Sequence, residues 1–425
     1  MNNNDILLDV SRLIWRQWDG RPPTGIDRTC LAYAQHYRAR ARAVVQRDGM
    51  THVLNEGHSR QLFDLLLEPG DHFRRDFVAL AARMALTFGH RVNTADRLYL
   101  NVGHTGLNMP GHSRWLRRSG VRPVYFVHDL IPLTHPEHCR QGEPEKHVLR
   151  LRALLEGGHG VIGNSADTLK ELSRHAFARH LPMPPTLVAP LGVEPTISTG
   201  QGASESPLGR PYFLMLGTIE GRKNHLLILN IWKRLIEAQG RAAPQLVIVG
   251  RRGWESEQVV DMLDRCEVLH GHVIELPMCS DSRLADYMRH ARALLFPSFV
   301  EGYGLPLVEA LASGTPVIAS DLGVFREMAS DIPLYISPID GIGWQNAVID
   351  YAAPDSLSRA DQLARMRRYR APRWSDHFDA VDAWINASIL SRSGSHHGSR
   401  AAAGHRDAAR GGDVLSGGPH GARGS

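Results

Sequence analysis

Ten short apolar runs, each of four or five residues, punctuate the chain: Ile6–Val10, Leu98–Val102, Val124–Val127, Gly160–Gly163, Thr186–Ala189, Tyr212–Leu216, Leu246–Val249, Val273–Leu276, Ala293–Phe296 and Pro316–Ala319. Continuous rather than alternating hydrophobicity is the mark of strands buried on both faces of a parallel sheet. Between the runs lie stretches with helical periodicity, at Thr29–Tyr37, Thr168–Leu172, His225–Glu237, Arg283–His290 and Leu305–Ala312. Strand and helix in strict alternation predict an α/β fold with helices covering parallel sheets. The stretch from Val44 to Asp96 is mixed and mostly helical in pattern, and no chemistry can be assigned to it.

The alternation is interrupted once, by a segment rich in Gly, Ser and Pro before Arg210. Such composition reads as a linker. It divides the chain into a first domain, residues 1–195, a linker, 196–210, and a second domain, 211–372. An amphipathic helix follows over Trp374–Leu390, within 373–391, with Phe378, Val381, Trp384 and Ile385 on one side. Residues 392–425 are of low complexity and are predicted to be disordered.

One stretch, Pro297–Met328, places charge where packing argues against it. Glu301 stands beside Gly302 and Gly304 at the carboxyl end of a predicted strand, and Glu309 lies within the helix Leu305–Ala312, amid Leu305, Leu307, Val308, Leu311 and Ala312. A carboxylate in an apolar helix faces either a partner or a polar cleft. The carboxyl edge of a parallel sheet is where open α/β folds bind ligands, and the free N–H groups of a helix start favour an anion. Either glutamate alone reads better as a solvated carboxylate; the pair around a Gly-x-Gly loop reverses this and favours a ligand site. Three other strand ends carry candidates. Gly217 precedes Arg222 and Lys223, two cations just ahead of a helix N-terminus, where they oppose the dipole but suit an anion. His128 and Asp129 end Val124–Val127. Gly25 lies in the turn after the first strand, with Asp27 as the candidate N-cap of the next helix and without the spacing of a dinucleotide-binding loop.

With 425 residues and 43% hydrophobic content the chain is long enough for two cores. No run approaches the ~18 apolar residues of a membrane span, and the start lacks the features of a secretory signal, so a cytoplasmic location is expected. Four scattered cysteines suit free thiols. Of the net charge of +5, the five Arg and two Asp of residues 391–425 supply +3. The folded part is then near +2, which argues against nucleic acid as a partner. Two basic runs, Arg38–Arg42 and Arg114–Arg122, fit either a solvated helix face or contact with an anionic membrane surface. His135, His138 and Cys139 beside His128 and Asp129 match no structural zinc spacing, and no metal site is expected.

These residues together resemble the retaining glycosyltransferases of the GT-B fold, family four, also called glycosyltransferase group 1, of the type that builds bacterial polysaccharides. The resemblance is densest over 212–327, in LGTIEGRKNH, ADYMRHARALLFPS and EGYGLPLVEALASGTPVIASD, whose E-x7-E pair is Glu301 and Glu309. It extends more weakly over 1–193 through TGIDR, VHDLIPL, the NSADT cap and APLGV. The resemblance implies two Rossmann-like, doubly wound domains facing across a cleft, with the last helix crossing back to the first. It implies transfer of a hexosyl group, mannosyl or related, from a nucleotide-diphosphate sugar such as GDP-mannose to a lipid-linked oligosaccharide, without a metal or other cofactor, in the cytoplasm or peripherally at the inner membrane.

The resemblance implies particular roles as well. Arg222 and Lys223 would hold the donor diphosphate, Glu309 the nucleotide ribose, and Glu301 with the backbone of Gly302, Tyr303, Gly304 and Leu305 the transferred sugar. Gly217 would lie along the donor, His128 would contact the sugar from the opposite domain, and Gly25 would approach the phosphates and acceptor. The family's usual double glycine is replaced at the last position by Thr24-Gly25. Two other readings stay open: a sugar-nucleotide epimerase on the same architecture, and a non-catalytic nucleotide-sugar-binding subunit of a polysaccharide assembly.

Overall fold

The computed structural model describes residues 6–86, 92–193 and 205–390. Most of the linker expected at 196–210 and the whole low-complexity tail lie outside the described residues. The first part of the chain runs β1 (Ile6–Asp9), α1 (Ser11–Trp18), α2 (Gly25–Tyr37), β2 (Ala41–Arg47), β3 (Met50–Val53), α3 (Glu56–Leu67), α4 (Phe73–Leu86), β4 (Leu98–Asn101), α5 (Pro110–Ser119), β5 (Arg122–Val127), α6 (Ile131–Thr134), α7 (Glu143–Gly157), β6 (Gly160–Gly163), α8 (Ala166–Ala178) and β7 (Thr186–Val188). These strands form one sheet in the order β3-β2-β1-β4-β5-β6-β7, parallel except for β3. Strand order reverses at β1 and β4, so the crevice of a doubly wound sheet opens where those strands end, at Val10–Arg12 and Val102–His104.

The second part repeats the plan with β8 (Tyr212–Leu216), α9 (His225–Gln239), β9 (Gln245–Val249), α10 (Glu257–Arg265), β10 (Val273–Leu276), α11 (Asp281–His290), β11 (Leu294–Phe296), α12 (Leu305–Ala312), β12 (Val317–Ser320), α13 (Gly323–Ala329), β13 (Leu334–Ile336), α14 (Gly341–Ala352) and α15 (Leu357–Met366). Its sheet is wholly parallel, in the order β10-β9-β8-β11-β12-β13, and the order reverses between β8 and β11. Trp232 of α9 and Trp344 of α14 are fully buried against one face of this sheet. The two crevices meet, and the loop after β11 touches the one after β5.

α16 (Trp374–Trp384) returns to the first sheet's side and continues as a π-helical turn, Ile385–Leu390. Phe378 stacks on His36 of α2 at 4.0 Å, and Asp382 accepts from Tyr37 at 2.6 Å and pairs with Arg40. His377 donates through Nδ1 to the carbonyl of Pro190, which leaves Nε2 to accept from the Tyr33 hydroxyl at 3.0 Å. Arg122 donates to the carbonyl of Ile389.

Four expectations are corrected. Arg38–Arg42 is not a helix face: its second half enters β2, and Arg40 is spent on Asp382. The segment read as mostly helical from Val44 contains the rest of β2 and the antiparallel strand β3. The N-cap of α2 is Thr24, not Asp27; Asp27 sits a turn inside, accepts from the Thr24 N–H at 2.7 Å, and is drawn to Arg12 at 2.7 Å. In the second basic run Arg122 belongs to β5 rather than to a helix.

Candidate active site between the two sheets

The chain leaves β11 at Phe296, and its loop folds back over the turn that follows β8. Asn224, with φ at 57°, donates to the carbonyls of Pro297 at 3.2 Å and Pro338 at 2.8 Å, and the Phe299 N–H donates to the carbonyl of Arg222. Short polar side chains tolerate this left-handed backbone at little cost. The result brings Glu301 onto Arg222 at 2.9 Å and onto Lys223, while Glu220 pairs with Arg222 at 2.7 Å and Ser298 donates to Glu301 at 2.8 Å. Lys223 also lies over the Phe296 ring at 4.8 Å.

Two acids and two bases thus form a buried, balanced cluster. Burial pushes the Glu301 carboxyl up, but Arg222 and Lys223 outweigh it and bring it down to about 2. Burial pushes Lys223 down, with Glu301 opposing it. Arg222 is raised: burial lowers it, and Glu301 and Glu220 more than compensate. The sequence reading had Arg222 and Lys223 as cations placed for an anion; in the structure Arg222 holds Glu220 and Glu301, and Lys223 holds Glu301. Gly217, at φ 130°, passes close by, its Cβ position 3.6 Å from the Lys223 side chain.

Across the crevice, Gly302 is pressed against the end of β5. A Cβ there would stand 2.5 Å from the carbonyl oxygen of His128 and 2.7 Å from Asp129. The His128 carbonyl also accepts from Asn164, Thr168 donates to the carbonyl of Gly302 at 3.3 Å, and Tyr303 donates to the carbonyl of Leu191 at 2.9 Å. Gly304, at φ 95°, starts α12 against Phe325, 2.7 Å from its Cβ position. Leu305 reaches Gly25, whose Cβ position is 3.2 Å away. Glu327 completes the contact by accepting from the N–H groups of Ala166 at 2.6 Å and Asp167 at 3.1 Å.

Glu309 lies apart from this cluster. It pairs through Oε1 with Arg28 of α2 and lines a groove of about 710 Å³ between α2, α12 and α16. Burial raises its carboxyl despite Arg28. His128 donates through Nε2 to the carbonyl of Val102 at 2.7 Å, and burial brings its imidazole down to about 4. His138 stacks on Phe299 at 5.3 Å instead of joining His128 and Asp129, and among the described residues no group of three or more His, Cys, Asp or Glu is arranged to hold a metal ion. Sequence reasoning missed Glu220, Ser298, Asn224 and Arg28. Asn224, beside two cations at a helix start, carried a local signal; Glu220 and Ser298 stand two and three positions from their partners Arg222 and Glu301 but resemble ordinary loop residues, and Arg28 is defined by Glu309, 281 positions away.

A fold of two facing, doubly wound domains with the last helix crossing back is the GT-B fold, and solved structures agree. The chain superposes on Anabaena HepE in complex with UDP with a TM-score of 0.62 at 17% identity, covering 90% of this chain and 99% of that one. Residues 199–332 match the family described as glycosyl transferases group 1. The serotype-specific mannosyltransferase WbdA of Escherichia coli is 32% identical over 235 residues, 52% of this chain, which spans only 29% of that longer protein. The O-antigen chain mannosyltransferase B of Escherichia coli is 33% identical over 161 residues, 37% of this chain and 42% of the relative.

Proposed function

We propose that this protein is a retaining glycosyltransferase that moves a hexosyl group, mannosyl or related, from a nucleotide-diphosphate sugar to a glycan acceptor in surface polysaccharide biosynthesis. The observation that carries the reading is the buried cluster of Glu301, Arg222 and Lys223 at the carboxyl edge of one sheet, facing the His128 end of the other. The O-antigen mannosyltransferase relatives favour mannose, hence GDP-mannose as donor, and a lipid-linked oligosaccharide as acceptor. Among the described residues no helix is long and apolar enough to cross a membrane, so meeting a lipid-linked acceptor at the inner membrane from the cytoplasm would be by peripheral contact.

In this reading the donor diphosphate lies over Arg222, Lys223 and the starts of α9 and α12. Glu301 trades part of its hold on the two cations for the sugar, with the Gly302–Leu305 backbone beneath it, Gly217 along the diphosphate and Gly25 near the phosphates and acceptor. Glu309 takes a ribose hydroxyl, since Arg28 reaches only its Oε1. The bond from the anomeric carbon to the diphosphate oxygen breaks as the bond to the acceptor oxygen forms on the same face, and the acceptor proton passes to the leaving diphosphate. Charge grows on the diphosphate, where fixed cations and helix dipoles stabilise it without reorganisation and without requiring a metal. The two domains, divided near residues 196–210, close over the donor and exclude water.

The test is a screen of GDP-, UDP-, ADP- and dTDP-sugars by thermal shift and turnover. A ligand that binds only the folded state raises the melting temperature, by an amount that grows with its concentration over Kd. GDP-mannose is expected to give a shift and slow donor hydrolysis. A chain that responds to no nucleotide sugar is not a transferase.

A further inference from the structure

The transferase reading leaves unexplained a second imidazole beside His128. His104 follows the end of β4 with φ at 59°, a left-handed backbone that non-glycine residues adopt sparingly. The turn cannot relax easily, because Gly103 is wedged against α1 and α2: a Cβ on it would stand 2.8 Å from Arg12 and 3.4 Å from the Cys30 sulfur. Its ring therefore has a fixed seat, with its centroid 5.3 Å from that of His128.

Both rings are held in the same way. His104 Nε2 is 2.5 Å from the carbonyl oxygen of Phe126, and His128 Nε2 is 2.7 Å from that of Val102. A carbonyl only accepts, so each Nε2 carries the proton and each Nδ1 carries a lone pair. Burial, reinforced by the neighbouring His128 and His147, holds His104 well below the ordinary imidazole range, so both rings are neutral at physiological pH. Among the described residues neither Nδ1 has a hydrogen-bond partner. Nor is either sealed away, whereas Nε2 of the nearby His147 is buried without a partner.

Two fixed neighbouring rings at a sheet's carboxyl edge, next to the loop of Gly302, each with a lone pair on Nδ1, are a receptor for hydrogen-bond donors. They welcome the hydroxyls of a neutral sugar and repel a carboxylate oxygen, which brings only lone pairs of its own. We propose that His104 is a specificity-determining residue, pairing with His128 to accept hydroxyl hydrogens from a neutral hexose ring and so to select neutral hexosyl substrates over hexuronates. This rests on the transferase reading for its substrate and goes beyond it in naming the sugar class and the residue that selects it. The ring recognised belongs to the donor or to the acceptor, and the two are separated below.

The experiment compares the full chain with His104→Gly, which keeps the backbone free of strain and removes the ring, and His104→Asn, which tolerates positive φ and has no imidazole. Turnover is measured with GDP-mannose against GDP-mannuronate and with UDP-glucose against UDP-glucuronate. Loss of one hydroxyl contact is expected to lower kcat/KM for the neutral donor by about tenfold, and to lower the neutral-to-uronate ratio by about the same factor, with the melting temperature held. A rise in donor KM assigns the donor ring; a rise confined to acceptor KM assigns the acceptor ring. Unchanged rate and ratio in a folded variant, or equal loss for neutral and uronate donors with acceptor KM unchanged, overturns the proposal. If His104→Gly does not fold, His104→Asn is read by the same criteria. If the wild type turns over no donor, the transferase reading has failed separately. Nitrogen NMR of labelled histidine with methyl α-mannoside or methyl glucuronide then decides: the Nδ1 signals of His104 and His128 must move with the first and not the second.

Discussion

Glu301 is tied to two buried cations, and this alters what its removal does. Truncation to Ala leaves Arg222 and Lys223 facing only Glu220, an uncompensated buried charge whose cost is about 3–5 kcal/mol. A lost activity in Glu301→Ala would therefore confuse function with folding. Glu301→Gln keeps the shape, and paired with Lys223→Met it restores charge balance. The double variant is expected to recover most of the melting temperature lost by the single one while transfer stays at least about a hundredfold down. Recovery of transfer along with stability would show Glu301 to be structural only. Glu309, by contrast, shares one oxygen with one partly exposed arginine, so Glu309→Ala should weaken donor binding with little loss of stability.

Among the elements, α16 packs closely on a strand far from it in sequence. Gly160 at the head of β6 has its Cβ position 2.5 Å from the Trp384 ring and 2.8 Å from Ile389. Gly160→Ala is expected to cost about 1–3 kcal/mol in chemical denaturation by forcing the Trp384 end of the helix outward; an unchanged midpoint would mean that the helix end is loosely seated. The helix itself was legible from Phe378, Val381, Trp384 and Ile385, but its partner surface on α2 was not, since nothing local marks Tyr33, His36 and Tyr37 as a docking face. β8, β9, β11 and β12 of the second sheet were legible nearly to the residue because each is buried on both faces and reads as an apolar run, whereas β10 is half-buried with Glu275 in it and the half-buried edge strand β13 was missed. β2 and β3 escaped because β2 sets Arg42, Gln46 and Arg47 among its apolar residues and lies beside an edge strand, where polar positions are tolerated. At the candidate site Glu301 was legible from its neighbours in sequence, whereas its bond to Lys223, 78 positions away, and that of Arg28 to Glu309, 281 positions away, required the fold.

For the molecule as a whole the buried histidines set the response to acid. Burial holds His112, His128 and His377 near 4 and His225 near 3, against an ordinary value of 6.5. Between pH 6.5 and 4 the unfolded chain binds protons that the folded chain refuses, so stability falls as pH falls through that window. Below it Glu301, depressed from 4.5 to about 2, adds a further loss. Asp9, Glu220 and Glu309, raised by burial, act in the opposite sense and offset part of the slope. Calorimetry is expected to show a melting temperature that declines steadily from pH 7 to pH 4. A flat profile would mean that these imidazoles charge freely in the folded state.

The return of α16 also dictates an order of events during synthesis. The surface of α2 that carries Tyr33, His36 and Tyr37 is covered by residues some 340 positions later in the chain. On a ribosome, the first sheet is translated long before its last covering helix exists, so this apolar face must wait, open to other chains or to chaperones, until the far end of the second domain has emerged. Contacts of such long sequence separation are slow to form and prone to misassembly. The first domain is thus begun first and finished last, and the helix that completes it also makes the maturation of both domains a single late step.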